Sequence, residues 1–324
     1  MTSTLERSPF EPGPTPTDGG PRVFHTVAGY ATALDAVRRS GRTVGVVPTM
    51  GALHEGHRSL IERAAEECDV VAVSIFVNPT QFGDASDLAA YPRTWEADLA
   101  AVASAGGRMV FAPSVAEMYP DRDGGATTTV SVPDLSHMWE GASRPGHFDG
   151  VATIVVKLLG AAGPCRAYFG EKDYQQLALV RRVVRDRSLP AEVVGCRTVR
   201  DNDGLALSSR NVRLTPDQRR AALALSRALR TGAALVAGGE RRADAVEGAM
   251  AQVVSREPLV ALDYAAVVNA DDLEPATCSD DRPLRLIIAA VVGSVRLIDN
   301  LDPAEWTRPR RDLSAVGSDG PRRA

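Results

Sequence analysis

Two spacings of apolar residues alternate along this chain. A short β-branched run at 44–47 and a near-continuous apolar run at 70–77 are typical of strands that are buried on both faces of a sheet. Elsewhere apolar residues recur every three or four positions, which predicts helices. These helical stretches are residues 56–68, 94–106, 151–162 and the second part of 166–186. The alternation of strands and helices predicts an α/β fold in which helices cover both faces of a parallel sheet.

The pattern changes after residue 199, where a polar loop at 200–211 precedes a helix start. Thr215 can cap that helix, Pro216 can take its first position, and Gln218 can complete a capping box. The segments that follow predict a smaller α+β domain. They are helices at 219–237 and 243–256, and apparent strands at 262–270 and 284–298. Before residue 199, in the first part of the chain, three more strands are predicted, at 108–113, at the start of 166–186 and at 191–199.

Composition narrows the class of protein. The chain has 324 residues, of which 44% are hydrophobic and 24% charged, so it can bury a sizeable core. We expect a catalytic domain at 21–198, a second domain at 199–305, and disordered tails at 1–20 and 306–324. The first tail is rich in Pro, Gly and Thr, and the last residues repeat this composition. The N-terminal tail lacks the apolar segment of a signal peptide.

Charge and cysteine usage exclude several partners. A net charge of −4 and a pI near 5.8 argue against a nucleic-acid partner. The longest late apolar stretch, 286–295, is interrupted by Arg296 and is too short for a membrane span. The cysteines are scattered without CxxC pairing, which favours buried thiols in a reducing compartment and a cytoplasmic location. They are Cys68, Cys165, Cys196 and Cys278.

The segment 44–57, VGVVPTMGALHEGH, carries the candidate chemistry. Pro48 ends the β-branched run, and Gly51 and Gly56 allow close approach of a ligand to the backbone. His54 and His57 then lie at a helix N-terminus, which attracts phosphate. There the imidazoles can donate hydrogen bonds to phosphate oxygens. Two alternatives stay open: polar surface histidines, or a zinc site, although the spacing is not that of HExxH and no third ligand is near.

Further polar groups follow other predicted strands. Asn78 and Gln81 come after the 70–77 strand and can hydrogen-bond a polar substrate, or serve as ordinary turn residues. Lys172 offers a point charge for phosphate, and Asp173 can accept from a ribose hydroxyl or orient the lysine, unless the EKD turn is a solvated charged surface. Gln176 follows in the same segment.

The loop at 200–211 is a candidate lid over a nucleotide. Ser208 and Ser209 can donate hydroxyl hydrogen bonds, and Arg210 can clamp a phosphate with two of its N–H groups. The alternative is a polar linker between domains.

Taken together, these segments resemble the pantothenate synthetase (pantoate–β-alanine ligase) family, within the HIGH-signature nucleotidyltransferase superfamily. The resemblance covers about residues 42–300 and rests on a set of motifs, which is far more specific than any one of them. The motifs are PTMGALHEGH, SIFVNPTQFG, YPRT, EGASRPGHFDGV, YFGEKDYQQ and DGLALSSRN. This chain departs from the family in its long N-terminal segment, in Trp139 and in Cys165.

The resemblance implies a fold and a reaction. The fold is a doubly wound, Rossmann-like domain with a smaller C-terminal lid domain, in a homodimer. The reaction condenses (R)-pantoate with β-alanine, consumes ATP in the presence of magnesium, and passes through a pantoyl adenylate to pantothenate, AMP and diphosphate. This is a step of pantothenate and coenzyme A biosynthesis. Two rivals remain: a nucleotidylyltransferase that also uses HxGH, and a sensor that binds ATP without consuming it.

The resemblance also implies roles for single residues. It gives catalytic roles to His54, His57 (as proton donor), Lys172 and Arg210, and no protein ligand for a metal. It places ATP against Met50, Gly51, Ala52, Leu53, His54, Glu55, Gly56, His57, Gly170, Glu171, Lys172, Asp173, Val199, Leu207, Ser208, Ser209 and Arg210. It places pantoate or β-alanine against Gln81, Gln176 and Asn78. Arg144 and His147 match motif positions without an assigned role.

Overall fold

The computed structural model describes residues 20–83, 88–121, 125–278 and 282–306. Apart from Gly20 and Trp306, the two predicted tails lie outside the described residues. The described chain forms two sheets, one of six strands and one of three.

The larger sheet is parallel throughout, in the order β1-β4-β3-β2-β5-β6. The order reverses between β2 and β5, as in a doubly wound fold, so the predicted fold class is confirmed. Its strands are β1 (Arg22–Phe24), β2 (Val44–Thr49), β3 (Val70–Ile75), β4 (Met109–Phe111), β5 (Cys165–Gly170) and β6 (Ala191–Cys196).

Helices of the first domain pack on both faces of this sheet. They are α1 (Val27–Arg39), α2 (Glu55–Glu67), α3 (Trp95–Ser104), α4 (Val115–Met118), α5 (Pro133–Ser136), α6 (Glu140–Ser143), α7 (His147–Ala162) and α8 (Tyr174–Asp186). One apolar core contains the buried face of α1 together with α7 and α8, and a second core lies under α2 and α3. The separation of these cores by the sheet explains why its strands are apolar on both sides.

Five of these elements were not predicted from the sequence, namely β1, α1 and the single-turn helices α4, α5 and α6. Strand β1 has only three residues, too few for a periodic signal. Helix α1 buries Tyr30, Leu34 and Val37, but alanines and polar residues between them weaken the helical spacing. Strand β1 and helix α1 are stabilised by the pairing of β1 with β4 and by packing of α1 against α7.

The smaller sheet is antiparallel and consists of β7 (Val260–Asn269), β8 (Leu284–Val292) and β9 (Val295–Leu301). The expectation of one strand over 284–298 is wrong, because this segment turns back at Gly293 and Ser294. Gly293 has a φ of +61°, and glycine at the first position of a two-residue loop is typical of a type II′ hairpin. The segment read as continuous because Val295, Leu297 and Ile298 of β9 continue the apolar residues of β8 across the turn.

Apart from the exposed start of β7, this second sheet is covered on both faces. One face packs under α9 (Pro216–Ala237) and α10 (Ala243–Ser255); a short helix α11 (Pro303–Trp306) follows β9. The other face contributes Ala266, Val268 and Ile287 to the core of the first domain. The predicted capping box of Thr215 and Gln218 at the start of α9 is confirmed. The limits predicted for the domains, 198 and 199, stay predictions.

Candidate active site

A cleft of about 940 Å³ opens where the strand order of the large sheet reverses. Ligands bind at this position in doubly wound sheets, because the loops that follow adjacent strands separate there. The cleft is lined by residues after β2, after β5 and after β6, and by the 200–211 loop.

Most of the sequence-predicted site residues line this cleft. They are Met50, His54, Gly56, His57, Gln81, Gly170, Lys172, Asp173, Gln176, Val199, Leu207, Ser208, Ser209 and Arg210. Six others do not line it, namely Gly51, Ala52, Leu53, Glu55, Asn78 and Glu171. The roles of all these residues toward ligands stay predictions, but the structure shows what each of the six does within the protein.

The two histidines cap helix α2. His54 is the N-cap, and its Nδ1 accepts a hydrogen bond from the Gly56 amide at 3.1 Å. His57, three residues on, accepts from the His54 amide through its own Nδ1 at 3.4 Å. This is a capping box built from two histidines, whose ring centroids are 4.1 Å apart.

The capping box fixes the tautomers of both rings. Each Nδ1 accepts from a backbone N–H, so each ring, when neutral, carries its hydrogen on Nε2. Burial lowers the pKa of His57 to about 3, and the neighbouring His54 adds to this. Burial also lowers the pKa of His54, as does the charge of Lys172. At neutral pH the two rings are therefore neutral donors through Nε2–H.

Asp98, on helix α3, holds the loop between β2 and α2. Its carboxylate accepts from the amides of Ala52 and Leu53 at 3.0 and 2.8 Å, and from the Thr94 hydroxyl at 3.1 Å. Ala52 has a φ of +51°, a conformation in which non-glycine residues are rarely found. The buried Asp98 therefore uses the two amides that could otherwise donate to a nucleotide.

Two glycines in this turn are required by close contacts. A Cβ on Gly51, whose φ is +83°, would lie 3.0 Å from the Asp98 carboxylate. A Cβ on Gly56 would lie 2.9 Å from the His54 ring. The close fit of Gly56 against His54 keeps that ring in its capping position. Glu55 instead turns outward and pairs with Arg58.

The second group of polar residues follows β5. The single-turn 3-10 helix Glu171–Asp173 joins β5 to α8, and the Lys172 Nζ lies 3.3 Å from the Asp173 carboxylate. Although desolvation acts to raise the pKa of Asp173, the charges of Lys172 and Arg210 hold it below its ordinary value. This turn therefore presents a lysine and an ionised carboxylate to the cleft.

The 200–211 loop closes another side of the cleft. Arg200 and Ala206 form an antiparallel bridge, and the Asn211 side chain donates to the Ala206 carbonyl at 3.0 Å. Ser208 caps the 3-10 turn Ser209–Arg213 by accepting from the Arg210 amide. The loop is thus held by its own hydrogen bonds in a shape that brings Ser208 and Arg210 to the cleft.

Asn78 supports Gln81 rather than reaching the cleft. It is 1% exposed, and its Nδ2 donates to the Gln81 Oε1 at 3.0 Å and to the Gly150 carbonyl at 3.2 Å. Its Oδ1 accepts from the Tyr119 hydroxyl at 2.7 Å and from Thr80. Since protein groups use both ends of this amide, Asn78 orients Gln81, whose Nε2 is turned away from it.

Arg144 and His147 hold the same turn from the other side. Because arginine can only donate, its contact with the His147 Nε2 at 3.0 Å makes that nitrogen the acceptor. The His147 Nδ1 then carries the hydrogen and donates to the Gln81 carbonyl at 2.8 Å. Burial, followed by the charge of Arg144, lowers the pKa of His147 to about 4. Both residues line the cleft.

A smaller cavity of about 300 Å³ adjoins the cleft and lies between the two domains. Gln176 lines both spaces, whereas Gln175 is buried and bonds to carbonyls of Leu135 and Met138. Arg296, on β9, bridges the Glu140 and Asp263 carboxylates at 2.6 Å each. The cavity wall therefore joins the domains through ion pairs.

Sequence reasoning missed several residues that hold the site. Asp98 and Tyr119 support the turns after β2 and β3, and Arg296 and Asn300 reach the site from the second sheet. No spacing pattern pointed to them, because each acts on residues far away in sequence. A weak signal existed for Asp98, which lies in the first turn of a predicted helix.

Comparison with known proteins gives a family for this arrangement. A model of the family described as Pantoate-beta-alanine ligase matches residues 22–302. The chain belongs to the pantoate–β-alanine ligase family. The match spans both sheets, from the first strand to the residue after β9, so the function is that of a pantothenate-forming ligase and the rival reading as a sensor is set aside.

Relatives and solved structures agree with this family. A pantothenate synthetase of Rubrobacter xylanophilus is 54% identical over 271 residues, which is 81% of this chain and 92% of that protein. One of Deinococcus radiodurans is also 54% identical, over 82% of this chain and 95% of its own.

Two crystal structures from the family share this fold. Pantothenate synthetase from Thermus thermophilus superposes with a TM-score of 0.80 at 46% identity, over 87% of this chain and 99% of that chain. Pantoate-beta-alanine ligase from Francisella tularensis, complexed with Beta-gamma ATP and Beta-alanine, gives a TM-score of 0.70 at 33% identity, over 87% and 97% of the two chains.

Proposed function

We propose that this ligase activates pantoate as pantoyl adenylate in the cleft between β2 and β5, and then transfers the pantoyl group to β-alanine. The observation that carries this proposal is the pair of neutral histidines of the capping box, which offer Nε2–H groups to a cleft that Lys172 and Arg210 also line. Four donors around one space suit a ligand rich in phosphate oxygens.

In the first step a pantoate carboxylate oxygen attacks the α-phosphorus of ATP, and diphosphate leaves. Both reactants are anions, so the site must hold them together and stabilise the negative charge that develops on the phosphate oxygens. His54 and His57 do this as neutral hydrogen-bond donors. The low pKa of His57 favours this role over delivery of a proton at neutral pH.

We assign pantoate to the part of the cleft that two glutamine side chains line. Gln81 and Gln176 line the cleft with amide groups that suit hydroxyl and carboxylate oxygens. Asn78, Arg144 and His147 position Gln81 through the contacts described above. We therefore assign Asn78 a positioning role rather than direct contact with substrate.

In the second step the β-alanine amine attacks the carbonyl carbon of pantoyl adenylate, and AMP leaves. The mixed anhydride must be kept from water until the amine arrives. Ser208, Ser209 and Arg210, in the loop that closes one side of the cleft, are the groups we propose to cover it.

Magnesium fits this site as an ion that enters with ATP. Mg²⁺ in such enzymes is held by substrate phosphates with one or two carboxylates. Asp173 is a carboxylate at the cleft, and no group of three or more His, Cys, Asp or Glu side chains suited to a metal occurs within the described residues. Bound there, the ion would neutralise phosphate charge.

Two further proposals concern the state of the protein in the cell. The family resemblance supports a homodimer, which light scattering of the purified chain tests directly. A cytoplasmic location is supported by Cys68, Cys165 and Cys196, which are free thiols, as a reducing compartment would keep them. No helix in the described part of the chain has the length and apolar character needed to cross a bilayer.

The decisive experiment follows the carboxylate oxygen of pantoate. The purified protein is incubated with ATP, magnesium, β-alanine and pantoate in which both carboxylate oxygens are ¹⁸O. The masses of the products are then measured by mass spectrometry. Attack at the α-phosphorus leaves one ¹⁸O in AMP and one in pantothenate. A parallel tube without β-alanine should accumulate pantoyl adenylate.

Other labelling results would overturn the proposed route. Unlabelled AMP would exclude an acyl adenylate, and ADP with labelled phosphate would instead indicate an acyl phosphate. Turnover of ATP that needs a phosphate-containing acceptor in place of β-alanine would favour a nucleotidylyltransferase.

A further inference from the structure

The turn that carries Lys172 is bound by a residue of the other domain. Asn300 lies near the end of β9, and its Nδ2 donates to the Glu171 carbonyl at 2.9 Å and to the Lys172 carbonyl at 2.8 Å. A single amide group thus uses both of its hydrogens on consecutive carbonyls of a three-residue 3-10 turn.

Those two carbonyls determine the backbone geometry of Lys172. They belong to the two peptide planes that meet at the Lys172 Cα. Since each peptide is planar, fixing both planes fixes φ and ψ of Lys172 and therefore the direction of its Cα–Cβ bond. The Lys172 side chain leaves the backbone along that bond toward the cleft.

The orientation of the Asn300 amide is itself determined. Its Oδ1 accepts from the Arg285 Nε at 2.8 Å, and the residue is 4% exposed. If the amide were flipped, Nδ2 would face a guanidinium donor and Oδ1 would face two carbonyl oxygens. Both contacts would be repulsive, so only one orientation is stable.

Neighbouring groups hold Asn300 and Arg285 in place. Arg285 also pairs with the Glu171 carboxylate at 3.1 Å and lies 4.0 Å from the ring centroid of Tyr174, at the start of α8. On the other side, the Asp299 carboxylate accepts from the backbone N–H of Asn300 at 2.8 Å and from the Arg200 side chain at 2.6 Å. The contact thus belongs to a buried network.

We propose that Asn300 is a positioning residue for Lys172, so that the second domain sets the direction of the lysine toward the ATP phosphates without touching ATP. The inference rests on the proposed function in one respect, that Lys172 binds phosphate. It makes adenylation depend on β9 being docked against the Glu171–Asp173 turn.

The test is a double-mutant cycle between Asn300→Asp and Lys172→Ala. Asn300→Asp preserves size and the contact with Arg285 but replaces the donor by an acceptor. In the presence of Lys172 it should lower the rate of diphosphate release by about tenfold or more, because small misplacements of a catalytic group cost this much. In the Lys172→Ala background the same change should cost twofold or less.

A second measurement separates positioning from general damage. Adenosine lacks phosphates, so its affinity, measured by calorimetry, should be unchanged by Asn300→Asp, whereas ATP affinity should fall. Asp263→Asn is the matched control: it removes a partner of Arg296 at the domain boundary but lies outside the Lys172 turn. Its adenylation rate should stay within twofold of the unmodified protein.

The outcomes are distinct. Equal fold losses in both backgrounds, or parallel losses of ATP and adenosine affinity, would overturn the positioning role. A Lys172→Ala protein with normal ATP affinity and adenylation would instead overturn the proposed function, and the inference with it. If Asn300→Asp does not fold, Asn300→Ser, which retains one donor, enters the same cycle and is expected to give a smaller loss.

Discussion

The two sides of the cleft are held in different ways. The histidines are fixed by bonds within four residues, since His54 and His57 cap the helix that they begin. Lys172 is fixed by Asn300, a residue of another sheet and another domain. One side therefore needs only elements of the first domain, in which Asp98 of α3 also holds the loop, whereas the other depends on the docking of the two domains.

This difference separates two kinds of donor in the candidate site. Locally held donors keep their geometry whatever the second domain does, so under the proposed function we expect them to bind ATP at any stage. Under the positioning role of Asn300, a lysine held across domains is aligned only while β9 is docked against its turn. The site therefore combines histidines whose position does not depend on the second domain with a lysine whose position does.

The largest effect should come from removing one donor from either half. His57→Ala and Lys172→Ala should each lower the adenylation rate by about a hundredfold or more, the usual cost of losing one preorganised donor. Single-turnover release of diphosphate measures this. His137→Ala, at an exposed histidine outside the cleft, is the matched control and should be near normal. Near-normal rates in both test variants would mean that neither half binds phosphate.

A change at Asp98 tests whether the histidine half has its own support. Asp98→Asn places an amide donor against the Ala52 or Leu53 amide, so one buried bond is lost and a donor left unpaired. We expect the free energy of unfolding to fall by about 2 kcal/mol, measured by urea denaturation. If stability is unchanged while adenylation is lost, Asp98 acts on the ligand rather than on the loop.

Gly56→Ala should lower the adenylation rate without lowering the stability of the fold, and so tests the contact that holds His54. The new Cβ would lie 2.9 Å from the His54 ring and displace it, so adenylation should fall by about tenfold. Alanine also favours the helix, so the stability should not fall with the activity. Gly248→Ala in α10 is the control, since nothing lies within 4 Å of its Cβ; it should be stabilised by about 0.5–1 kcal/mol at normal activity. Equal activity of the two variants would contradict the close fit of His54.

The smallest effect concerns pH. His57 has a folded pKa of about 3, well below the ordinary 6.5, so protons bind the unfolded chain first as the pH falls. The stability contribution is complete above pH 6.5 and is lost progressively from there toward pH 3. Between pH 7.5 and 6 it should decrease by about 0.8 kcal/mol for this histidine. A His57→Ala protein should lose that much less over the same range; identical pH dependence would mean that folding does not shift the pKa of His57.

The sequence predicted the parts of the fold that depend on local order. The sequence predicted the strands that precede the site residues, the helix that His54 caps and the capping box at Thr215. Each of these features depends on a few consecutive residues. Strand β1 was missed because three residues carry no period. The β8–β9 hairpin was missed because Gly293 interrupts two apolar strands without a change in polarity.

In the candidate site, too, the sequence predicted local features and missed contacts between distant residues. Motif residues that line the cleft could be picked out, since motifs are local. Their supports could not, since Asp98, Tyr119 and Asn300 reach their partners across 41 to 129 positions of sequence. Asn78 was expected to bind substrate because its place after β3 is known from sequence. In the folded protein, however, other protein groups already bond to both ends of its side-chain amide, and these groups are distant in sequence.

The hairpin turn at Gly293 and Ser294 sets the register of β9 and therefore the position of Asn300. It pairs Val292 with Val295 and thereby puts Asn300 opposite Ile287. Side chains along a strand alternate between faces, so a slip of one residue would turn Asn300 away and bring Asp299 or Leu301 toward the lysine turn. A glycine about 20 Å along the chain from Asn300 thus decides whether an amide, a carboxylate or a hydrocarbon meets the Lys172 backbone.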